Sequence, residues 1–168
     1  LGRTKGDRAR SQQTLEFLRD VAATTSDEAT RLTAIEALGN SKSELVHADL
    51  VDHADRGRPA DERRAAARAL ATLDLPRSRE YLAAELATET DPAVRTTAVG
   101  SLAGHAKYVP LVADVALRDE DAAVRRAALH ALAEGSDRAA RAAVERVREE
   151  GPDAELREEA ARLLEARG

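Results

Sequence analysis

The sequence predicts an all-α fold, a right-handed α-solenoid (superhelix) of about five antiparallel helix-pair repeats, on three observations. The first is a recurring arginine: Arg31, Arg63, Arg95, Arg125 and Arg157 are spaced 32, 32, 30 and 32 residues apart. Self-similarity at a fixed period on the order of 20–50 residues marks stacked repeats. The second is composition. Of 168 residues 43% are hydrophobic but only 2% aromatic (Phe17, Tyr81 and Tyr108), so the core is built from Ala, Leu and Val, which suit close helix packing. The third is the lack of β-branched runs and of Asn-Gly or Asp-Gly hairpin turns.

The neighbours of each arginine explain the helices in order. Three residues after it stands Ala34, Ala66, Ala98, Ala128 or Ala160. Four after it stands Ile35, Ala67, Val99, Leu129 or Ala161, and seven after it Leu38, Leu70, Leu102, Leu132 or Leu164. Positions +3, +4 and +7 share one face of a helix, so these columns predict a buried stripe. Four before the arginine stands Asp27, Asp91, Asp121 or Asp153, with Pro59 in the second unit. An aspartate there is placed to cap the helix, accepting from its first N–H groups and meeting its positive end. Pro92, just after Asp91, suits a first helical position. Thirteen before the arginine Leu18, Leu50, Leu82, Val112 and Val144 mark a preceding helix in each unit.

The domain organisation expected is a flexible basic tail over residues 1–10, then a repeat domain over 11–168. Its helix pairs fall at about 11–39, 43–71, 76–103, 107–133 and 136–165, with turns at Gly39-Asn40, Pro76, Gly104 and Gly135. One pair cannot bury its apolar face alone, so neighbours must stack. The chain begins at Leu1 and contains no Met, and Arg167-Gly168 closes it without a clear polar cap. A longer parent protein with further repeats is therefore expected.

The stretches D-E-D-A-A-V-R-R-A-A-L-H-A-L (Asp119 to Leu132) and E-T-D-P-A-V-R-T-T-A-V-G-S-L (Glu89 to Leu102) resemble the HEAT-repeat family, in particular its short phycobilisome-lyase-type form. The resemblance covers nearly the whole chain and implies the solenoid fold. It also implies a structural ladder of ion pairs and hydrogen bonds between repeats, formed here by Asp27, Arg31, Arg63, Asp91, Arg95, Asp121, Arg125, Asp153 and Arg157. The second helix of each pair is then expected to line the concave side. The family includes scaffolds, chromophore lyases, a metal-dependent hydroxylase and DNA-repair glycosylases, and fold alone does not choose among them.

Opposite the buried stripe, positions +1 and +5 of the second helices carry Leu32, Arg64, Thr96, Arg126 and Glu158, and Glu36, Arg68, Gly100, His130 and Arg162. Arg64, Arg68, Thr96, Arg126 and His130 form the candidate partner-binding surface. A basic centre there suits an acidic peptide or helix of another protein through charge-assisted hydrogen bonds. The bland alternative is a set of solvated helix faces whose charges are met locally, Glu62 among them.

Other classes are disfavoured. There is no Cys, hence no thiolate metal site or cysteine nucleophile. His47 and His53 are not at the i, i+3 or i+4 spacing of two ligands on one helix, and none of the four His is followed by Glu, as in the hydroxylases the resemblance includes. The acidic run Asp119, Glu120, Asp121 lacks the glycine turn of a calcium loop. No nucleophile elbow, P-loop or dinucleotide motif occurs. No cofactor, no metal and no enzymatic activity are expected. Scarcity of aromatics speaks against a tetrapyrrole lyase, and the net charge of −5 against a general polyanion binder. A nucleic-acid-contacting solenoid, using Arg3, Lys5, Arg8, Arg10 and the central arginines, is the alternative function. No apolar run approaches the ~20 residues that span a bilayer and no secretory signal opens the chain, so a cytoplasmic protein without a membrane partner is expected.

Overall fold

The computed structural model describes residues 5–166. Among them are ten α-helices and no strand: α1 (Lys5–Thr24), α2 (Glu28–Asn40), α3 (His47–His53), α4 (Ala60–Leu73), α5 (Pro76–Glu85), α6 (Pro92–Leu102), α7 (Val109–Arg118), α8 (Ala122–Glu134), α9 (Arg138–Glu150) and α10 (Ala154–Glu165). They form five helix pairs, an all-α repeat architecture. One-turn 3-10 segments, Glu44–Val46 and Ala106–Tyr108, lead into α3 and α7.

Three details differ from the expectation, one being Pro76, expected in a turn and found as the first residue of α5, where its fixed φ suits a helix start. Residues 1–4 of the expected tail lie outside the described residues, and from Lys5 onward the chain is helical. The stretch holds Arg, Ala and Gln and no Pro, so nothing stops the helix before residue 11, and Gly6 costs only about 1 kcal/mol. Gly39, expected in a turn, lies inside α2. A Cβ placed on it would sit 2.6 Å from the Ala69 Cα, so glycine is there to let α2 and α4 touch. The chain turns afterwards, with Lys42 in the left-handed region at φ 54°.

The chain divides into two compact units, 1–78 and 79–168. In the first, α2 packs on α1 and α4, and α3 on α4. In the second, α8 packs on α6, α7, α9 and α10, and α7 also on α9. The predicted stripe is the core of both. Ala34, Ile35 and Leu38, and Ala66, Ala67 and Leu70, are buried in the first unit. Ala98, Val99 and Leu102, Ala128, Leu129 and Leu132, and Ala160 are buried in the second. In the terminal pairs Leu18, Ala161 and Leu164 are only partly buried.

The helix starts follow the predicted chemistry. Asp27, Asp91, Asp121 and Asp153 are the N-caps of α2, α6, α8 and α10, accepting from backbone N–H groups at 2.8–3.3 Å. Pro59 holds that place before α4 and offers no side-chain acceptor. Burying one large aliphatic side chain contributes ~1.5–3 kcal/mol, against ~0–1 kcal/mol for an exposed ion pair. The apolar stripe therefore holds the stack, and the charges fix its register.

Candidate partner-binding faces

The arginine column is committed to architecture. Each guanidinium turns back on the loop before its own helix, where Nη1 donates to carbonyls left over by the preceding turn. Arg31 reaches the Thr25 carbonyl at 2.8 Å, Arg63 that of Arg58 at 3.0 Å and Arg157 that of Gly151 at 2.6 Å. Arg95 reaches Glu89 and Thr90, both at 3.1 Å, and Arg125 reaches Asp119 at 2.9 Å and Glu120 at 3.3 Å. Five donors in a rigid fork let one arginine do this and still reach further.

Arg31, Arg95 and Arg125 also reach an acid of the following repeat within their own unit. In the first unit that acid is Glu62, only 4% exposed. Its carboxylate lies 3.2 Å from the Arg31 Nε, 2.8 Å from the His53 Nδ1 and 3.5 Å from an Arg58 nitrogen. A carboxylate this buried is tolerated because cations and a ring nitrogen surround it. In the second unit Arg95, 4% exposed, grips Asp119 through two parallel bonds of 2.9 and 2.8 Å. The Asp119 hydrogen bond, working against burial, raises the Arg95 pKa above its ordinary value. Arg125 meets Asp153 at 3.0 Å. Asp153 is held below the usual aspartate range first by the Leu156 N–H and then by Arg125. Asp27 is lowered likewise by its hydrogen bonds with Thr30.

The acidic run resolves into the same scheme. Asp119 is the partner of Arg95 and accepts from the Asp121 N–H at 2.9 Å, while Asp121 caps α8. Among the described residues no group of three or more His, Asp or Glu is arranged to hold a metal ion.

The five candidate contact residues lie on second helices. In the first unit Arg64 on α4 donates to Asp61 at 3.0 Å, and Arg68, exposed, binds Glu36 on α2 with contacts of 2.7 and 3.2 Å. In the second unit Arg126 and His130 are exposed on α8. Arg126 binds Glu155 and, at 2.8 Å, Glu159 on α10, and the His130 Nε2 lies 2.7 Å from Glu159. Glu155 and then Glu159 raise the Arg126 pKa. Burial pushes Glu159 upward, but His130 and Arg126 outweigh it and leave its pKa lowered. Thr96 on α6 is exposed, and beside it a Cβ on Gly100 would meet nothing within 4 Å. Arg64 and Arg68 belong to one unit and Thr96, Arg126 and His130 to the other, so the structure groups them as two sets. Each set carries carboxylates with its cations, so the faces are charge-balanced where a basic surface was expected. Glu62 takes no part: it is buried under Arg31, while Asp61 and Glu36 meet Arg64 and Arg68.

The family model for HEAT repeats matches residues 1–71 and 79–165. The chain belongs to the HEAT-repeat family. No curated protein matches it. HEAT repeats generally serve as protein-interaction scaffolds, and no helix among the described residues is long and apolar enough to cross a membrane. In this HEAT chain the residues that sequence reasoning passed over are acids: Asp119 as a ladder partner, and Glu36, Asp61, Glu155 and Glu159 as partners on the outward faces. A signal for one of them was present. Glu36 and Arg68 occupy the same +5 column one repeat apart, so opposite charges in one column announce a cross-repeat pair.

Proposed function

We propose that this HEAT chain is a non-enzymatic scaffold that binds another protein on the exposed faces of its second helices, the faces that the family resemblance assigns to the concave side. Arg64 and Arg68 would serve as contacts in the first unit, and Thr96, Arg126 and His130 in the second. The occupant proposed is an acidic peptide or helix.

The observation that carries this reading is a division of labour among the charges. The column arginines are spent on loops and neighbouring repeats, whereas Arg68, Arg126 and His130 stand in exposed pairs on α4 and α8. An exposed pair contributes only ~0–1 kcal/mol, so an incoming carboxylate can replace Glu36 on Arg68 or Glu155 on Arg126 at little cost. Exchange of that kind selects for geometry as well as for charge, because a bidentate arginine contact is directional.

The test is capture of partner from a lysate of the native host, together with anisotropy of a labelled Glu-rich helical peptide. Arg64→Glu combined with Arg126→Glu is expected to abolish both while the circular dichroism of the helices stays unchanged. Capture and peptide binding that survive the double substitution would remove these faces from consideration.

A further inference from the structure

The two sets of contact residues stand in the same columns. Arg64 and Arg126 follow their repeat's arginine by one residue, Arg68 and His130 by five. In the first unit both positions hold an arginine with an acid against it, Asp61 for Arg64 and Glu36 for Arg68. Those charges balance wherever carboxylates are ionised. In the second unit the balance depends on a ring. Arg126 meets two acids, Glu155 and Glu159, and His130 adds a second positive charge only when protonated. Histidine is the side chain whose ordinary titration falls between about pH 5 and 8.

Glu159 is the inner acid of this set, its side chain 16% exposed against 73% for Glu155. Its Oε2 lies 2.8 Å from the Arg126 Nε, and its Oε1 2.7 Å from the His130 Nε2. While the ring is neutral, Arg126 alone answers both carboxylates, and a further carboxylate brought by a partner meets net negative charge. A protonated ring gives Glu159 a cation of its own at Oε1. Arg126 is then left to Glu155, the exposed acid that an incoming carboxylate replaces.

The helices around α8 do not supply that charge in another way. On α10 Glu158 and Arg162 are exposed and offset each other, and on α8 Glu134 adds an acid one turn beyond His130. Arg125 is committed to Asp153 and to loop carbonyls. The one charged residue of α6 is Arg95, buried on Asp119. On α7 and α9 Asp114 pairs with Arg146, Arg141 with Glu145 and Arg148 with Glu149. Neither these groups nor Arg118 and Arg138 pair with His130, whose charged partner among the described residues is Glu159. We propose that proton uptake by His130 switches the second unit's face toward an acidic partner, while the first unit's face binds alike across the same pH range. The proposal rests on the scaffold reading above and names how one of its two faces is regulated.

Arg64→Glu removes the first face, so that anisotropy of a labelled Glu-rich helical peptide reads the second alone. Between about pH 8 and about pH 6, at constant ionic strength, the peptide's carboxylates stay ionised. Over that range its Kd for Arg64→Glu is expected to fall about two- to fivefold, the worth of one exposed charge contact. In the same background His130→Gln is expected to give one Kd at both ends of the range. His130→Lys, charged throughout, is also expected to give one Kd, tighter than that of His130→Gln. Arg126→Glu, which leaves the first face alone, is expected to show no slope. Calorimetry of peptide binding near neutral pH, in two buffers of different ionisation heat, is expected to show proton uptake by Arg64→Glu that is absent when His130→Gln is added. A Kd of Arg64→Glu that is equal at the two ends would overturn the proposal and leave the scaffold reading standing. So would a slope that persists in His130→Gln. A peptide that binds the wild-type chain at neither pH would overturn both.

Discussion

The two units use one arginine column with different acids. In the first, Arg31 reaches forward to Glu62, which stands one residue before the next arginine and is shared with His53 and Arg58. In the second, Arg95 reaches Asp119, six residues before its next arginine, and Arg125 reaches Asp153, four before. Pro59 stands in the second repeat where the other repeats carry the capping aspartate, and the forward acceptor there is Glu62. The arginine has a fixed place because its own loop carbonyls fix it; the acid has only to arrive within reach. Overall charge divides in the same uneven way, with thirteen acidic and thirteen basic residues in 1–78 but eighteen acidic against thirteen basic in 79–168.

That comparison can be broken at several points. The largest effect is expected from Asp119→Ala, which leaves the Arg95 guanidinium buried without its bidentate partner and should cost about 3–5 kcal/mol in urea unfolding. Glu62→Ala is expected to cost less, about 2–3 kcal/mol, because its cations Arg31 and Arg58 are partly exposed and can turn to water. If Glu62→Ala proved the more damaging, the shared carboxylate of the first unit would be the stronger joint. Gly39→Ala should destabilise by about 1–3 kcal/mol through overpacking against the Ala69 backbone, readable as a lower urea midpoint with unchanged slope.

The smallest effect concerns pH. Burial, with Arg77 nearby, pushes the His47 imidazole below its ordinary value, and its Nδ1 lies 3.1 Å from the buried Ser78 Oγ. A lowered pKa means that the fold prefers the neutral ring. Its contribution is complete above about pH 6.5 and declines as pH falls from there through the lowered value. The depressed carboxyls Asp27, Asp153 and Glu159 act lower: their contributions are complete above about pH 4 and are lost as pH falls through their folded values. Melting temperatures of wild type and His47→Gln between pH 7.5 and 5 check the first window. The variant is expected to show the flatter profile, and parallel profiles would assign the slope elsewhere.

The fold was legible because helix burial has a short local period that a repeat displays five times over. The +3, +4 and +7 columns could be read as core, and the aspartates as caps, without any knowledge of what lies across the seam. What crosses the seam was less legible. Arg95 finds its acid 24 residues on and Arg125 finds its own 28 on, so loop geometry chooses the partner and no single spacing predicts it. Gly39 was misread for a related reason. Gly-Asn is a turn signal locally, and only contact with Ala69 reveals a glycine kept for close approach inside a helix. On the outward faces the cations could be picked out from their positions, but Glu155 and Glu159, which meet Arg126 and His130, come from the following repeat.

The account rests on the forward reach of the arginine column between neighbouring repeats, and a double-mutant cycle on Arg95 and Asp119 tests it most directly. Urea unfolding of wild type, Arg95→Ala, Asp119→Ala and the pair is expected to give a coupling of about 1.5–3 kcal/mol, as for buried partners in direct contact. A coupling below about 0.5 kcal/mol, the additivity expected of separate sites, would contradict it.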